Sequence, residues 1–316
     1  FDGAEREVLS QSVHLNIISV KSVYTQSDFF EKIYTFNHDI ERETIYNSIL
    51  NKNKQHYHRS IGEYIETNFS SDLEQYYEIL CNHFEQAHIE EKACLYYIKT
   101  AVKHKNSFNF STSIEYYKKF LEANETVITR TAYAPIDAML DLTHIYSLTA
   151  DYDDALNYLN RALKICTSIQ EKVCVNIILA KIYRDMGMYE KALEVIHKTE
   201  QKVIPQSQNH GKLLQIKSDI LWLTGESSAL DVSGLAIDIL QNTNDYDNLS
   251  AALKQTGIIY YSLGDIDKSL EYLNQAYKYA RKVENLESMA RISTNLGVIY
   301  HYTFMIPQAK KTLNES

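Results

Sequence analysis

The chain is short of glycine, proline and cysteine, with 9, 3 and 4 of them in 316 residues. Gly and Pro punctuate turns, so their scarcity excludes a succession of tight hairpins and favours long helices. Cys81, Cys94, Cys166 and Cys174 stand apart, and without a C-x-x-C pair nothing seeds a zinc site. Such sparse cysteine suits a reducing compartment, and a cytoplasmic location is expected. Positive charge is in deficit too. A net charge of -9 and a pI near 5.7 do not supply the basic face that nucleic acid requires. No apolar run approaches the roughly 20 residues that span a bilayer, and no secretory leader opens the chain. No membrane partner is expected. The first residue is Phe1 rather than Met, so the sequence is expected to be a piece of a longer polypeptide.

What is present is ordinary for a folded protein, with 45% apolar and 23% charged residues. The 25 tyrosines accompany abundant Asn, Ile and Lys, a compositional bias more than an aromatic binding surface. The informative feature is repetition. "HIYSLTADYDDALNYLNRA", "KIYRDMGMYEKALEVI", "IIYYSLGDIDKSLEYLNQA" and "VIYHYTFMIPQAKKTL" open alike. Aligned on Tyr146, Tyr183, Leu221, Tyr260 and Tyr300, the units are spaced by 37, 38, 39 and 40 residues. Three places earlier stand the small residues Thr143, Ala180, Ser218, Gly257 and Gly297. The turn carries Ala150, Gly187, Gly225 and Gly264. Nine places past the aligned residue come Ala155, Ala192, Ser269 and Ala309, with Leu230 as the exception, and Leu159, Ile196, Leu273 and Leu313 follow one helical turn on. Small residues let two helices touch while the aromatic fills the wedge between them.

That order of small and aromatic residues resembles the tetratricopeptide repeat, in units longer than its usual period of about 34. The resemblance implies an all-α fold, a right-handed superhelix of helix hairpins over 131–316. Less regular helical repeats precede it over 51–130, where four segments place apolar residues at i, i+3, i+4 and i+7. About fourteen helices are expected from residue 54 onward. Asp151 and Asp265 stand where an N-cap is wanted, Ser111 marks a helix start, Pro135 and Pro307 fit first-turn positions, and Pro205 fits a connection.

Residues 1–50 read differently, as a helix, a brief strand at Tyr34–Phe36 and a helix from Asp39, which looks like the end of a winged-helix module. Phe36, His38, Glu43, Tyr46, Tyr57, His58 and Ile61 are similar to a segment of large signalling ATPases of the STAND type, where it joins the nucleotide-binding domain to helical repeats. The resemblance covers about residues 30–125 and implies a sensor or regulatory arm whose catalytic parts lie elsewhere.

The chain itself offers no chemistry. No G-x-x-x-x-G-K-[ST] phosphate loop is present. His83 and His88 are spaced i, i+5, which turns them apart on a helix instead of toward one metal. His56 and His58, and His38 with Glu41 and Glu43, read as packing and as a charged helix start. No catalytic residue, metal or cofactor is expected. Binding of a protein or peptide is, because repeat stacks present a concave surface, and the same surface suits self-association. The resembled repeat lines its groove from the first helix of each unit. Here that selects Lys181, Arg184, Asp219, Trp222, Lys254, Tyr261, Asn295 and His301, with Trp222 divided between groove anchor and core filler. The paired Lys and Asn of chaperone-binding repeats is missing, since Lys254 is matched by Ile258. Two functions are open: an interaction arm of a signalling ATPase, or a regulator that senses a short peptide. The last unit stops at Ser316 without a polar cap, so further repeats are expected beyond it.

Overall fold

The structure is a computed structural model that describes residues 3–24, 30–123, 125–128 and 132–303. It divides into two compact units, 1–132 and 133–316.

The first unit opens with α1 (Gly3–His14), β1 (Ile18–Tyr24), β2 (Phe30–Phe36) and α2 (Asp39–Ser48). The strands form an antiparallel hairpin, registered from Ile18 opposite Phe36 to Tyr24 opposite Phe30. This corrects the expectation of one brief strand at 34–36: the strand is seven residues long and has a partner. Asn37 ties the hairpin base by donating its side-chain amide to the Asn16 carbonyl at 2.7 Å. Helices α3 (Asn51–Asn68), α4 (Tyr77–Gln86), α5 (Glu90–Asn106), α6 (Phe110–Glu122) and α7 (Glu125–Ile128) follow. Helix α6 begins at Phe110 behind Asn109, one residue ahead of the expected start at Ser111. Its core stacks Phe84 on Tyr96 at 5.6 Å, and Glu66 of α3 accepts from Tyr96 and Lys92 of α5.

The second unit is a run of helix hairpins. First helices α8 (Pro135–Leu148), α10 (Ile169–Asp185), α12 (Gln208–Leu223), α14 (Tyr246–Ser262) and α16 (Leu286–Tyr302) alternate with second helices α9 (Tyr152–Ile165), α11 (Tyr189–Glu200), α13 (Ala229–Asn242) and α15 (Ile266–Lys282). The repeated turn has one physical basis. The carbonyls of Tyr146, Tyr183, Leu221 and Tyr260 each accept from the amide five residues on, at 2.8 to 3.0 Å. The residue between, Ala150, Gly187, Gly225 or Gly264, is left-handed with φ of 60° to 83°. This is the Schellman ending of a helix, and it explains why glycine recurs at that place.

Close approach explains the small residues. A Cβ on Gly257 would lie 2.8 Å from Leu273 Cγ and 3.1 Å from the Ser269 carbonyl. Ser218 donates to the Ala229 carbonyl at 2.8 Å, so Ala229 fills the place that the spacing assigned to Leu230. Ala229 follows Leu221 by eight residues, against nine from Tyr146 to Ala155, although the connection from α12 to α13 is the longer one. Tyr146 stacks on Tyr158 at 5.9 Å and Tyr260 on Tyr272 at 5.4 Å, aromatic wedges between first and second helices.

Helix starts are capped by side chains. Ser168 makes a capping box with Glu171, and Ser207, Asp245, Asp265 and Asn285 accept from the third residue beyond. Asp151 occupies a cap position without such a bond, contrary to expectation, whereas Pro135 takes its first-turn place. Pro205 lies in the connection from α11 to α12. Pro307, Ala309 and Leu313 fall outside the described residues.

Polar bonds also join equivalent places in successive units. Arg184 reaches Asp219, Gln208 reaches Asp245 and Asn285 reaches Asp247, across separations of 35, 37 and 38 residues. Beneath them run shared apolar layers. One combines Val173, Ile196, Leu213 and Ile220, and another Leu240, Leu253, Leu273 and Leu296.

Candidate partner-binding groove

First helices of neighbouring units are packed on one another, α10 on α12, α12 on α14 and α14 on α16. Residues at matching phases therefore fall beside each other. The charges do so. Arg184 of α10 donates Nη1 to Asp219 Oδ2 of α12 at 2.5 Å and its other nitrogens to Asp185. Gln215, one turn before Asp219, donates to the same Oδ2 at 2.6 Å. Oδ1 of Asp219 is buried and has no hydrogen-bond partner among the described residues. The side chain was expected to line the groove; the residue is buried, 7% exposed.

The electrostatics follow from that depth. Burial raises the Asp219 carboxyl to about 6 against the pull of Arg184, Lys254 and Gln215. A carboxylate with one oxygen doubly bonded and the other orphaned keeps part of its desolvation cost. Arg184 gives the opposite indication, since Asp219 and Asp185 outweigh burial and hold its guanidinium more firmly charged. Both directions stand, because Arg184 is satisfied on two carboxylates and Asp219 on one oxygen only.

Lys254 of α14 is half-buried and makes no ion pair within 4 Å among the described residues. Burial lowers its pKa, opposed by Asp219 and assisted by Arg291, Arg184 and Lys181. One lysine thus senses charges from α10, α12 and α16. This unites Lys181, Arg184, Asp219 and Lys254 of the expected set, and it adds Arg291 and Gln215, which the sequence reading missed. Gln215 was findable as the residue four before Asp219 on the same face. Arg291, paired with Glu287 at 2.9 Å, lies too far before Tyr300 for the alignment to select.

The remaining expected residues are less committed to this cluster. Lys181 is exposed, and Trp222 is half-buried, neither core nor open surface. Tyr261 is half-buried and packs against the layer around Leu253. Asn295 is half-buried, and His301 is exposed with its ring 5.8 Å from Tyr302. A separate cleft of about 280 Å³ opens between α13, α14 and α15, lined by Leu253, Tyr260, Tyr272 and Tyr279 among others. Its aromatic walls are already engaged in the Tyr260–Tyr272 and Tyr246–Tyr279 stacks, so they are spoken for by the hairpins.

In the first unit, Tyr46 and His58, both singled out in the sequence, meet. Tyr46 OH lies 2.9 Å from His58 Nε2, and His58 Nδ1 lies 2.9 Å from His83 Nδ1. Burial lowers the pKa of both histidines, and His58 adds to the effect on His83. The histidines pack helices α2, α3 and α4 together. No group of three or more His, Cys, Asp or Glu able to hold a metal occurs among the described residues, nor any helix long and apolar enough to cross a membrane.

Comparison with known proteins agrees with the helix-hairpin fold. Tetratricopeptide-repeat models match residues 138–172 and 257–283. The chain carries tetratricopeptide repeats. No curated protein matches it. Among solved structures it is similar to NprR in complex with its cognate peptide NprX, with TM-score 0.55 and 15% identity over 99% of this chain and 88% of that one. It is similar to aspartyl phosphate phosphatase F from Bacillus subtilis, with TM-score 0.53 and 13% identity over 98% and 89%. The APC/C hetero-tetramer Cut9-Hcn1 gives TM-score 0.53 and 14% identity over 77% of this chain, which spans only 42% of that one. At these identities the likeness is one of fold.

Proposed function

We propose that this chain is a non-catalytic interaction arm whose second unit holds an extended peptide segment of a partner along its first helices. One observation carries the reading: stacked first helices bond Arg184 of α10 to Asp219 of α12 and bring Lys254 of α14 and Arg291 of α16 into the same electrostatic neighbourhood, so four units contribute to a single face. A mixed-charge strip with Trp222 near it suits a peptide, whose donors, acceptors and side chains alternate. It does not suit nucleic acid, whose phosphates Asp219 and the net -9 would repel. NprR was solved with a peptide bound, which supports the second form of the reading, a regulator that senses a short peptide.

The first unit supports the other form, an arm attached to a STAND-type signalling ATPase. Residues 1–50 would then be the end of its winged-helix module. The Tyr46–His58 contact joins two of the resembled positions and gives them a structural task there. A cytoplasmic location fits both forms.

Panning a random heptapeptide display library against the protein tests the peptide reading. Enriched sequences should bind the parent protein and lose binding to Lys254→Glu, which reverses the central charge. Failure to enrich any sequence above an unrelated helical protein overturns it.

A further inference from the structure

Of the groups on this face, two are left unsatisfied among the described residues. Lys254 is a half-buried cation without an ion pair, set among Lys181, Arg184 and Arg291. Asp219 Oδ1 is a buried acceptor without a donor. Arg184 is already committed to Asp219 and Asp185, and Arg291 to Glu287. A buried charge lacking a partner carries a desolvation cost that only an opposite charge or a hydrogen bond offsets. The two vacancies are complementary in sign, one wanting an anion and the other an N–H.

We propose that the centre of the groove is a subsite for an acidic residue in an extended peptide, its side-chain carboxylate on Lys254 and a backbone N–H on Asp219 Oδ1. This rests on the peptide reading above and names the chemistry that the peptide must bring. A carboxylate is favoured over a phosphate group by the surroundings. Asp219, Asp185 and Glu287 lie with the cations, and a phosphate of nearly two negative charges meets more repulsion there than a single carboxylate. A peptide brings donor and anion together at a fixed spacing. Because Oδ1 is closed to water in the free protein, binding requires a neighbouring side chain to give way. Lys254 is the long, unpaired chain in the field of Asp219 and the natural one to move.

The test uses heptapeptide pools with blocked termini, random except for a central Glu, Gln, Lys or phosphoserine, retained on the immobilised full chain and counted by mass spectrometry. The Glu pool should be retained about tenfold better than the Gln pool, the scale of one charge-assisted hydrogen bond, with the Lys pool weakest. Lys254→Met keeps the stem, removes the charge, and should abolish the Glu preference. Asp219→Asn should weaken retention of the Glu and Gln pools alike while keeping their ratio. Lys254→Gln serves if the Met variant fails to melt like the parent. Equal retention of Glu and Gln pools, a preference that survives loss of the lysine charge, or a phosphoserine pool retained best overturns the subsite while leaving the peptide reading intact. Retention of no pool above blank beads overturns both.

Discussion

Among the described residues, Asp219 has one carboxylate oxygen accepting two hydrogen bonds and the other none. Its ordinary value of 3.8 is raised to about 6 in the folded protein. The folded state therefore holds the proton more tightly than the unfolded chain. This contribution to stability is complete below about pH 4 and is lost as pH rises through about 6. The rise corresponds to about 3 kcal/mol. Asp245, Glu171 and Asp265, whose values are lowered, act in the opposite sense, but a comparison with Asp219→Asn cancels them. Chemical unfolding at pH 4 and pH 7 should show the parent losing about 2 kcal/mol relative to that variant. Parallel stabilities would mean that Arg184 holds the carboxyl ionised throughout. At this scale the sequence was half legible. Repeat phase picked out Lys181, Arg184, Asp219 and Lys254, but not that Asp219 is buried or that Arg184 bonds it. Those facts depend on how closely two helices 35 residues apart pack, which no local pattern records.

Among the elements, the helix hairpin was the most readable, because its turn rests on backbone geometry that leaves a residue-level mark. In the four aligned turns glycine takes the positive-φ place three times, and Ala150 at φ 60° takes it once with the same hydrogen bond; between units, Asn244 and Glu284 adopt it without glycine. An alanine there bears a left-handed backbone that costs roughly 1–2 kcal/mol, less the chain entropy that glycine gives up. Ala150→Gly should consequently raise stability by about 1 kcal/mol, whereas Gly264→Ala, at φ 83°, should lower it by at least as much. Thermal melts of the two variants check the opposite signs; a loss of stability in both would assign the glycines some other role. The exception at Leu230 illustrates the limit of fixed spacing. The spacing from the aligned residue to the second-helix contact is one residue less in this unit, and Ala229 supplies the small side chain instead. The missed strand β1 had a signal, the alternation of Ile18, Ser19 and Val20. Hairpin pairing is a contact between segments, and only one of the two was read.

For the molecule as a whole, fold class was legible because five units agree in phase, and repetition averages away the noise of any single unit. Partner identity was not legible, since a repeat stack fixes a surface and leaves its chemistry to a few side chains. One further consequence concerns force. The bonds Arg184–Asp219, Gln208–Asp245 and Asn285–Asp247 each cross a single junction between successive units, and the apolar layers beneath are likewise shared by neighbours. No bond among these ties one end of the second unit to the other. A chain so connected yields to tension by peeling. Held between optical traps at its termini, the second unit should lengthen in successive steps of roughly 130 Å, the extended contour of 37 to 40 residues at about 3.5 Å each. A single rip spanning several units would show that the stack breaks as one body, with its layers coupled beyond nearest neighbours.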